Sequence, residues 1–202
     1  MPQATPRTLV SLDLSQPLWE RVFTVAPLVV IGTQEADGTY DLAPKHMAMP
    51  LGWGHYFGFV CTPRHHTYQN IQRTGVFTVS FPQPHQILAT SLTAAPRCDD
   101  DQKPSLVALP TVKSQGVEGV FLQDAYLCLD CELDRIVDGF GDNSLIAGKI
   151  LAAQVDEAAL RLSARDDQDL LRRAPLLAYL SPGRFATLDH SQAFPFHEGF
   201  QR

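Results

Sequence analysis

The sequence predicts a mainly β (α+β) protein, a closed or nearly closed antiparallel barrel with short helices attached. Three observations carry this. Short runs rich in β-branched and aromatic residues, bounded by turn residues, dominate the chain. These runs come in adjacent pairs and do not alternate with helices of crossover length, which points away from a doubly wound parallel sheet. Gly and Pro, 13 and 15 of the 202 residues, supply the turns such pairs need.

In chain order, Ser15 and Pro17 suit the start of a short helix over 15–20. The apolar run 27–33 leads through Ala36-Asp37-Gly38 to 39–43, which pairs back as a hairpin. Residues 55–62 form an aromatic strand, and Thr67 opens a two-turn helix that Gly75 closes. A strand over 76–81 and a helix over 84–92 follow. The segment 90–119 has little periodicity, three successive aspartates (99–101) and two prolines, and is read as a long loop with one short element. Two long strands, 125–137 and 143–155, flank the turn Gly139-Phe140-Gly141-Asp142, and a helix is expected over 157–173.

With 45% hydrophobic and 19% charged residues the chain is an ordinary globular protein, expected to fold as one domain over 1–202. Its net charge of −6, with no basic run, argues against a reader of nucleic-acid backbones. No secretory leader is evident, and the longest apolar run, 25–32, is far short of the ~20 residues a membrane helix needs. A cytoplasmic protein is the default expectation.

The most informative stretch joins Asp41-Leu42-Ala43-Pro44-Lys45-His46-Met47 to Thr62-Pro63-Arg64-His65-His66-Thr67-Tyr68-Gln69-Asn70. Thr67 falls where a helix begins, with free N–H groups and the positive end of the helix dipole. Arg64, His65 and His66 arrive just before it. A phosphate or carboxylate could be held there by backbone N–H groups, the Thr67 hydroxyl and a guanidinium. A plainly capped helix with surface charges accounts for the same residues.

Residues 27–81 resemble the flavin reductase-like, FMN-binding split-barrel family of flavoredoxin-like flavoproteins. The resemblance lies in Asp37-Gly38, in Asp41-Leu42-Ala43-Pro44-Lys45-His46, and above all in His65-His66-Thr67-Tyr68-Gln69-Asn70-Ile71-Gln72-Arg73-Thr74-Gly75-Val76-Phe77. Weaker likeness in 125–131, Gly141-Asp142 and 145–150 extends it to 27–157. The resemblance implies a homodimeric split barrel holding FMN near the subunit interface. Ala43, Pro44, His46 and Met47 would run beside the isoalloxazine and ribityl chain, and Arg64, Thr67 and Asn70 would face the phosphate. Lys45, Thr62 and His65 complete the candidate cofactor-binding set. Asp41 stands where the family has Asn, His46 where it has a hydroxyl residue, and His65-His66 where it has Lys-Asp. An Asp41 carboxylate beside an anionic cofactor is unfavourable unless it points away. His46 is the side chain expected to tune the flavin, since it titrates near neutrality.

Other motifs carry less. Cys128 and Cys131 have redox or zinc-knuckle spacing, but three residues apart on a strand they face opposite sides and are read as buried thiols. Gly52-Trp53-Gly54-His55-Tyr56-Phe57-Gly58 fails the dinucleotide fingerprint, because its third Gly is one residue late. The scattered histidines show no metal-binding spacing. Trp53, His55 and Tyr56 are expected to fill the core or a dimer interface, with a flavin platform as the alternative. The apolar tail 194–197 either packs on a partner subunit or stays free. No catalytic residue is assigned. The resemblance favours an FMN-dependent flavin reductase taking hydride from NAD(P)H, ahead of a non-catalytic FMN electron carrier and a dimeric binding module without cofactor.

Overall fold

The computed structural model describes residues 8–99, 101–161 and 166–199. Its centre is a seven-stranded antiparallel sheet built from β2 (Val29–Gln34), β3 (Tyr40–Lys45), β4 (Ala48–Pro50), β5 (Tyr56–Cys61), β6 (Val76–Phe81), β9 (Leu127–Phe140) and β10 (Asn143–Val155). The spatial order is β3-β2-β6-β9-β10-β5-β4. Its two edge strands are therefore consecutive in the chain, joined only by His46-Met47. That link spans about 10 Å at most, whereas the edges of a flat seven-stranded sheet would lie about 29 Å apart. The sheet must curl until its edges approach. No ladder joins β3 to β4 among the described residues, so the barrel is split there. The curl is helped by register shifts between β9 and β10 at Asn143/Leu145, Ala147/Gly148 and Ile150/Ala152. Pro44 and Pro50 sit on the two edges, where a missing N–H breaks no central ladder.

The inward faces supply Val29, Ile31, Phe57, Phe59, Phe77, Val79, Cys131 and Ile146 to one core. On the other face of β2, Val30 joins Leu42, Val120 and Leu122 beneath a small hairpin of β7 (Thr111–Lys113) and β8 (Val120–Leu122). Both faces of β2 are covered, which explains its unbroken apolar run. Thr78 donates to the Val120 carbonyl at 2.6 Å and Ser80 accepts from the Leu122 N–H at 3.0 Å, fastening this hairpin to β6.

Helix α1 (His66–Thr74) follows β5 and lays Thr67, Tyr68, Asn70 and Ile71 on the barrel. Gly75 ends it in the left-handed conformation (φ 72°), a turn that a Cβ would strain, and its N–H caps the Ile71 carbonyl at 2.9 Å. The expected helix over 84–92 is a 3₁₀ turn, Pro84–Gln86, running into α2 (Ile87–Leu92).

The structure corrects several expectations. The 15–20 segment is only a 3₁₀ turn, Leu18–Glu20, because the Ser15 hydroxyl and N–H both donate to Asp13 and cap nothing. Within 157–173 the described helix is α3 (Asp167–Arg173), capped by Asp166; residues 162–165 lie outside the described residues. The segment 90–119 holds two short elements rather than one, the 3₁₀ turn Pro104–Ala108 and β7. A second sheet of β1 (Thr24–Pro27), β11 (Leu176–Ser181) and β12 (Arg184–Leu188) was not anticipated. Trp53, His55 and Tyr56 are exposed, so they do not fill the core.

Candidate functional site

The chain entering α1 creates an electropositive cleft. His65 precedes the helix without a capping side-chain bond, and the N–H groups of His66 and Thr67 find no acceptor among the described residues. Thr67 is buried beside them. The edge strand β3 brings Ala43, Pro44 and Lys45 against this helix start, and Arg64 and His65 complete the near wall of a cleft of about 480 Å³. The field in it can be read from His65. Its imidazole pKa is lowered from 6.5, first by burial and then by Lys45, Arg64 and Lys103, with Asp41 opposing. Arg64 itself is mostly solvent-exposed and pairs with Asp142 at 3.3 Å.

The far wall comes from the segment expected to be a plain loop. Thr93, Ala94, Ala95, Pro96, Arg97 and Lys103 line it. Asp41, 3% exposed, also borders the cleft, and its Oδ1 accepts from Lys103 Nζ at 3.1 Å and sits 3.3 Å from Arg97 Nη2. Arg97 also pairs with Glu35 and donates to the Asp101 carbonyl at 2.7 Å. His66 stands between Glu35 (3.1 Å) and Asp101 (3.3 Å). The unfavourable carboxylate foreseen at position 41 is thus buried and paired with cations. Asp100 lies outside the described residues.

A second cleft of about 580 Å³ adjoins the first, with Pro44 and Ala94 in the walls of both. It is apolar, lined by Leu28, Ile87, Leu88 and Phe185 together with His46 and Tyr179. The His46 and Tyr179 rings lie 4.4 Å apart at 32°. Burial, with Lys45 adding, lowers the His46 pKa from 6.5 and so favours the neutral ring. A third cleft of about 570 Å³ lies beyond Arg97, His66 and Lys103, walled also by Tyr40 and Asn70.

Of the residues singled out from sequence, Ala43, Pro44, Lys45, Arg64, His65 and Thr67 meet in the electropositive cleft. His46 lines the apolar one. Three fall elsewhere. Asn70 donates to Thr33 Oγ1 at 3.1 Å and accepts from Arg73, tying α1 to β2. Met47 is half exposed, and its carbonyl accepts from the Val60 N–H at 2.8 Å. Thr62 keeps a buried hydroxyl oxygen without a partner among the described residues. Sequence reading missed Arg97, Lys103 and Tyr179, which are remote in the chain. The one available signal was a pair of cations flanking an acidic run in a long loop.

Cys131 is buried and Cys128 half-buried, with burial raising their thiol pKa values to about 12 and about 11. Among the described residues no group of three or more His, Cys, Asp or Glu is arranged to hold a metal, and no helix is long and apolar enough to cross a membrane.

The split barrel therefore carries, beside its β3 edge, a cation-lined cleft and an apolar cleft that share Pro44 and Ala94. The sequence model of the flavin reductase like domain matches residues 22–180, and the chain belongs to this family of flavin-binding proteins. Among solved structures it is similar to nitrilotriacetate monooxygenase component B from Bacillus cereus, at 16% identity and TM-score 0.79, covering 94% of this chain and 100% of that one. It is also similar to the flavoredoxin of Desulfovibrio vulgaris (Miyazaki F), at 16% identity and TM-score 0.74, covering 95% and 100%. An FMN-binding protein from Thermus thermophilus, solved with 1-cyclohex-2-enone bound, matches at 17% identity and TM-score 0.73, covering 93% and 99%. At these identities the likeness is one of fold.

Proposed function

We propose that the protein is an FMN-dependent oxidoreductase that takes hydride from NAD(P)H, working as a homodimer. The observation that carries this is the pair of adjoining clefts. FMN joins a dianionic phosphate to an apolar tricyclic ring, and the donor set fits both ends: helix N–H groups and cations in one cleft, apolar side chains with a His46–Tyr179 ring pair in the other. Both volumes lie within the usual range for ligand sites.

The chain's own residues would bind and orient. The start of α1, Thr67, Lys45 and Lys103 hold the phosphate. Pro44 and Ala94, common to both clefts, would flank the ribityl chain. Neutral His46, backed by Tyr179, offers one ring nitrogen as donor and the other as acceptor toward the flavin edge. The apolar walls exclude water from the ring. When bound, the flavin supplies hydride acceptance and electron transfer, so no protein acid or base is required. The dimer reading is supported by Met47, Met49, Trp53 and Tyr56, which leave an apolar surface exposed beside the short edge strand β4.

The test is a visible absorption spectrum of the purified protein before and after FMN addition and desalting, followed by NADH and NADPH oxidation with FMN present. A retained flavin band or flavin-dependent NAD(P)H oxidation supports the reading. Tight FMN with exchange to a partner protein but no NAD(P)H oxidation would make it a carrier. No flavin band, no thermal shift with saturating FMN and no turnover would refute flavin binding. A monomeric mass by light scattering would refute the dimer.

A further inference from the structure

The cations of the electropositive cleft are not equivalent. Arg64, just ahead of α1, is 77% exposed at its side chain and already paired with Asp142, so solvent screens it. His65 is driven toward its neutral form. The Lys103 side chain, in contrast, is only 9% exposed, where a charge acts through a lower effective dielectric. Lys103 Nζ donates to Asp41 Oδ1 at 3.1 Å and to the Leu42 carbonyl at 2.8 Å. An ammonium has three N–H donors, and the third has no acceptor among the described residues while the side chain lines the cleft. Arg97 is held beside it between Glu35 and Asp41. Lys103 reaches the β3 strand through Asp41 and Leu42, and Arg97 reaches it through Asp41.

We propose that Asp41 is a positioning residue for the flavin phosphate: its buried carboxylate gathers Lys103 and Arg97 onto the wall of the electropositive cleft. The inference rests on the flavin reading above. Two opposed effects decide its sign. An Asp41 charge near a phosphate repels it through space, whereas the same charge fixes the cation that attracts it. Asp41 also borders the cleft, but it is 3% exposed and its Oδ1 is engaged by Lys103 and Arg97, whereas Lys103 keeps one N–H for a ligand, so the positioning effect is expected to win.

The experiment titrates the full-length protein with FMN and with riboflavin, which differ only in the phosphate, following flavin fluorescence at low and high salt. The wild type is expected to prefer FMN over riboflavin, and less so at high salt. Asp41→Asn is expected to reduce that preference by about tenfold, the size of a lost hydrogen bond to a charged group. It should leave riboflavin affinity within about threefold, since the ring cleft is untouched. A merely structural role would weaken both flavins alike. Lys103→Met should act as Asp41→Asn does, and it carries the test if the Asp41 variant fails to fold. An unchanged or increased FMN preference in these variants overturns the proposal while leaving the flavin reading intact. A wild type that binds neither flavin, or both equally, overturns the phosphate reading and the proposal with it.

Discussion

Replacing Gly148 by Ala tests how tightly the main core of the barrel is packed. Gly148 sits in β10 opposite Phe57 of β5 and Leu133 of β9. A Cβ there would lie 2.4 Å from Phe77 Cζ, 2.6 Å from its Cε1 and 3.2 Å from the Glu132 carbonyl oxygen. Phe77 is fully buried and meets Phe59 edge-on, with centroids 5.5 Å apart at 75°, so its ring has nowhere to move. Overpacking of this kind costs about 1–3 kcal/mol. The lost backbone freedom of the unfolded chain returns about 0.5–1 kcal/mol. We expect Gly148→Ala to destabilise by about 1–2 kcal/mol, lowering Tm by about 2–8 °C in a chain of this size. Urea unfolding at constant m measures it. Phe77→Leu removes the ring atoms that the new methyl meets, so the double variant should be more stable than the sum of the single effects by about 1 kcal/mol or more. A neutral Gly148→Ala, or effects additive within about 0.5 kcal/mol, would refute this packing argument.

His65 should report anion binding directly. Burial and then the cations Lys45, Arg64 and Lys103 lower its pKa from 6.5, so phosphate or FMN beside it should offset the cations and raise it, as seen by NMR of the imidazole protons. By linkage, FMN affinity then rises as pH falls through that range, and an unmoved His65 would argue against an anion beside it. Because the folded pKa values of His46 and His65 are both depressed, their contribution to stability is full above pH 6.5 and declines as pH falls below it. His46→Ala should therefore lose less stability than wild type between pH 8 and about 5.5, and an equal loss would refute the assignment. The same variant should weaken FMN and riboflavin alike, by about 2- to 10-fold, because it removes a ring contact and not a phosphate contact. Thiol reagents at pH 8 should label exposed Cys98 first, with Cys128 and Cys131, at about 11 and about 12, reacting only on unfolding. Equal labelling of all three in the folded protein would overturn that order.

Much of the barrel was legible because it is local. The 27–33 and 39–43 hairpin, the strand over 76–81, the Gly75-capped helix and the long pair around Gly139–Gly141 are each set by periodicity and turn chemistry within about a dozen residues. The structure finds them with small shifts at their ends. The second sheet escaped because β1, β11 and β12 are short and β1 pairs with a strand about 150 residues away, which no local pattern announces. The near wall of the candidate site was legible for the same reason as the hairpins: residues 43–46 end a hairpin strand and 64–67 open a recognisable helix.

What the sequence alone determined is the long strands of the main sheet and the Gly75-capped helix, that these strands pair antiparallel, and that a polar helix start follows an aromatic strand. Only the tertiary structure decided which strands form the two edges, β3 and β4, and that the sheet curls until these edges approach at the two-residue link that joins them. Only it brought Arg97 and Lys103 onto Asp41, and Tyr179 onto His46. Local propensity fixes elements because it acts through neighbours in the chain. A binding site needs charges and rings brought together from distant positions, and their pairing energy exists only once the barrel has closed.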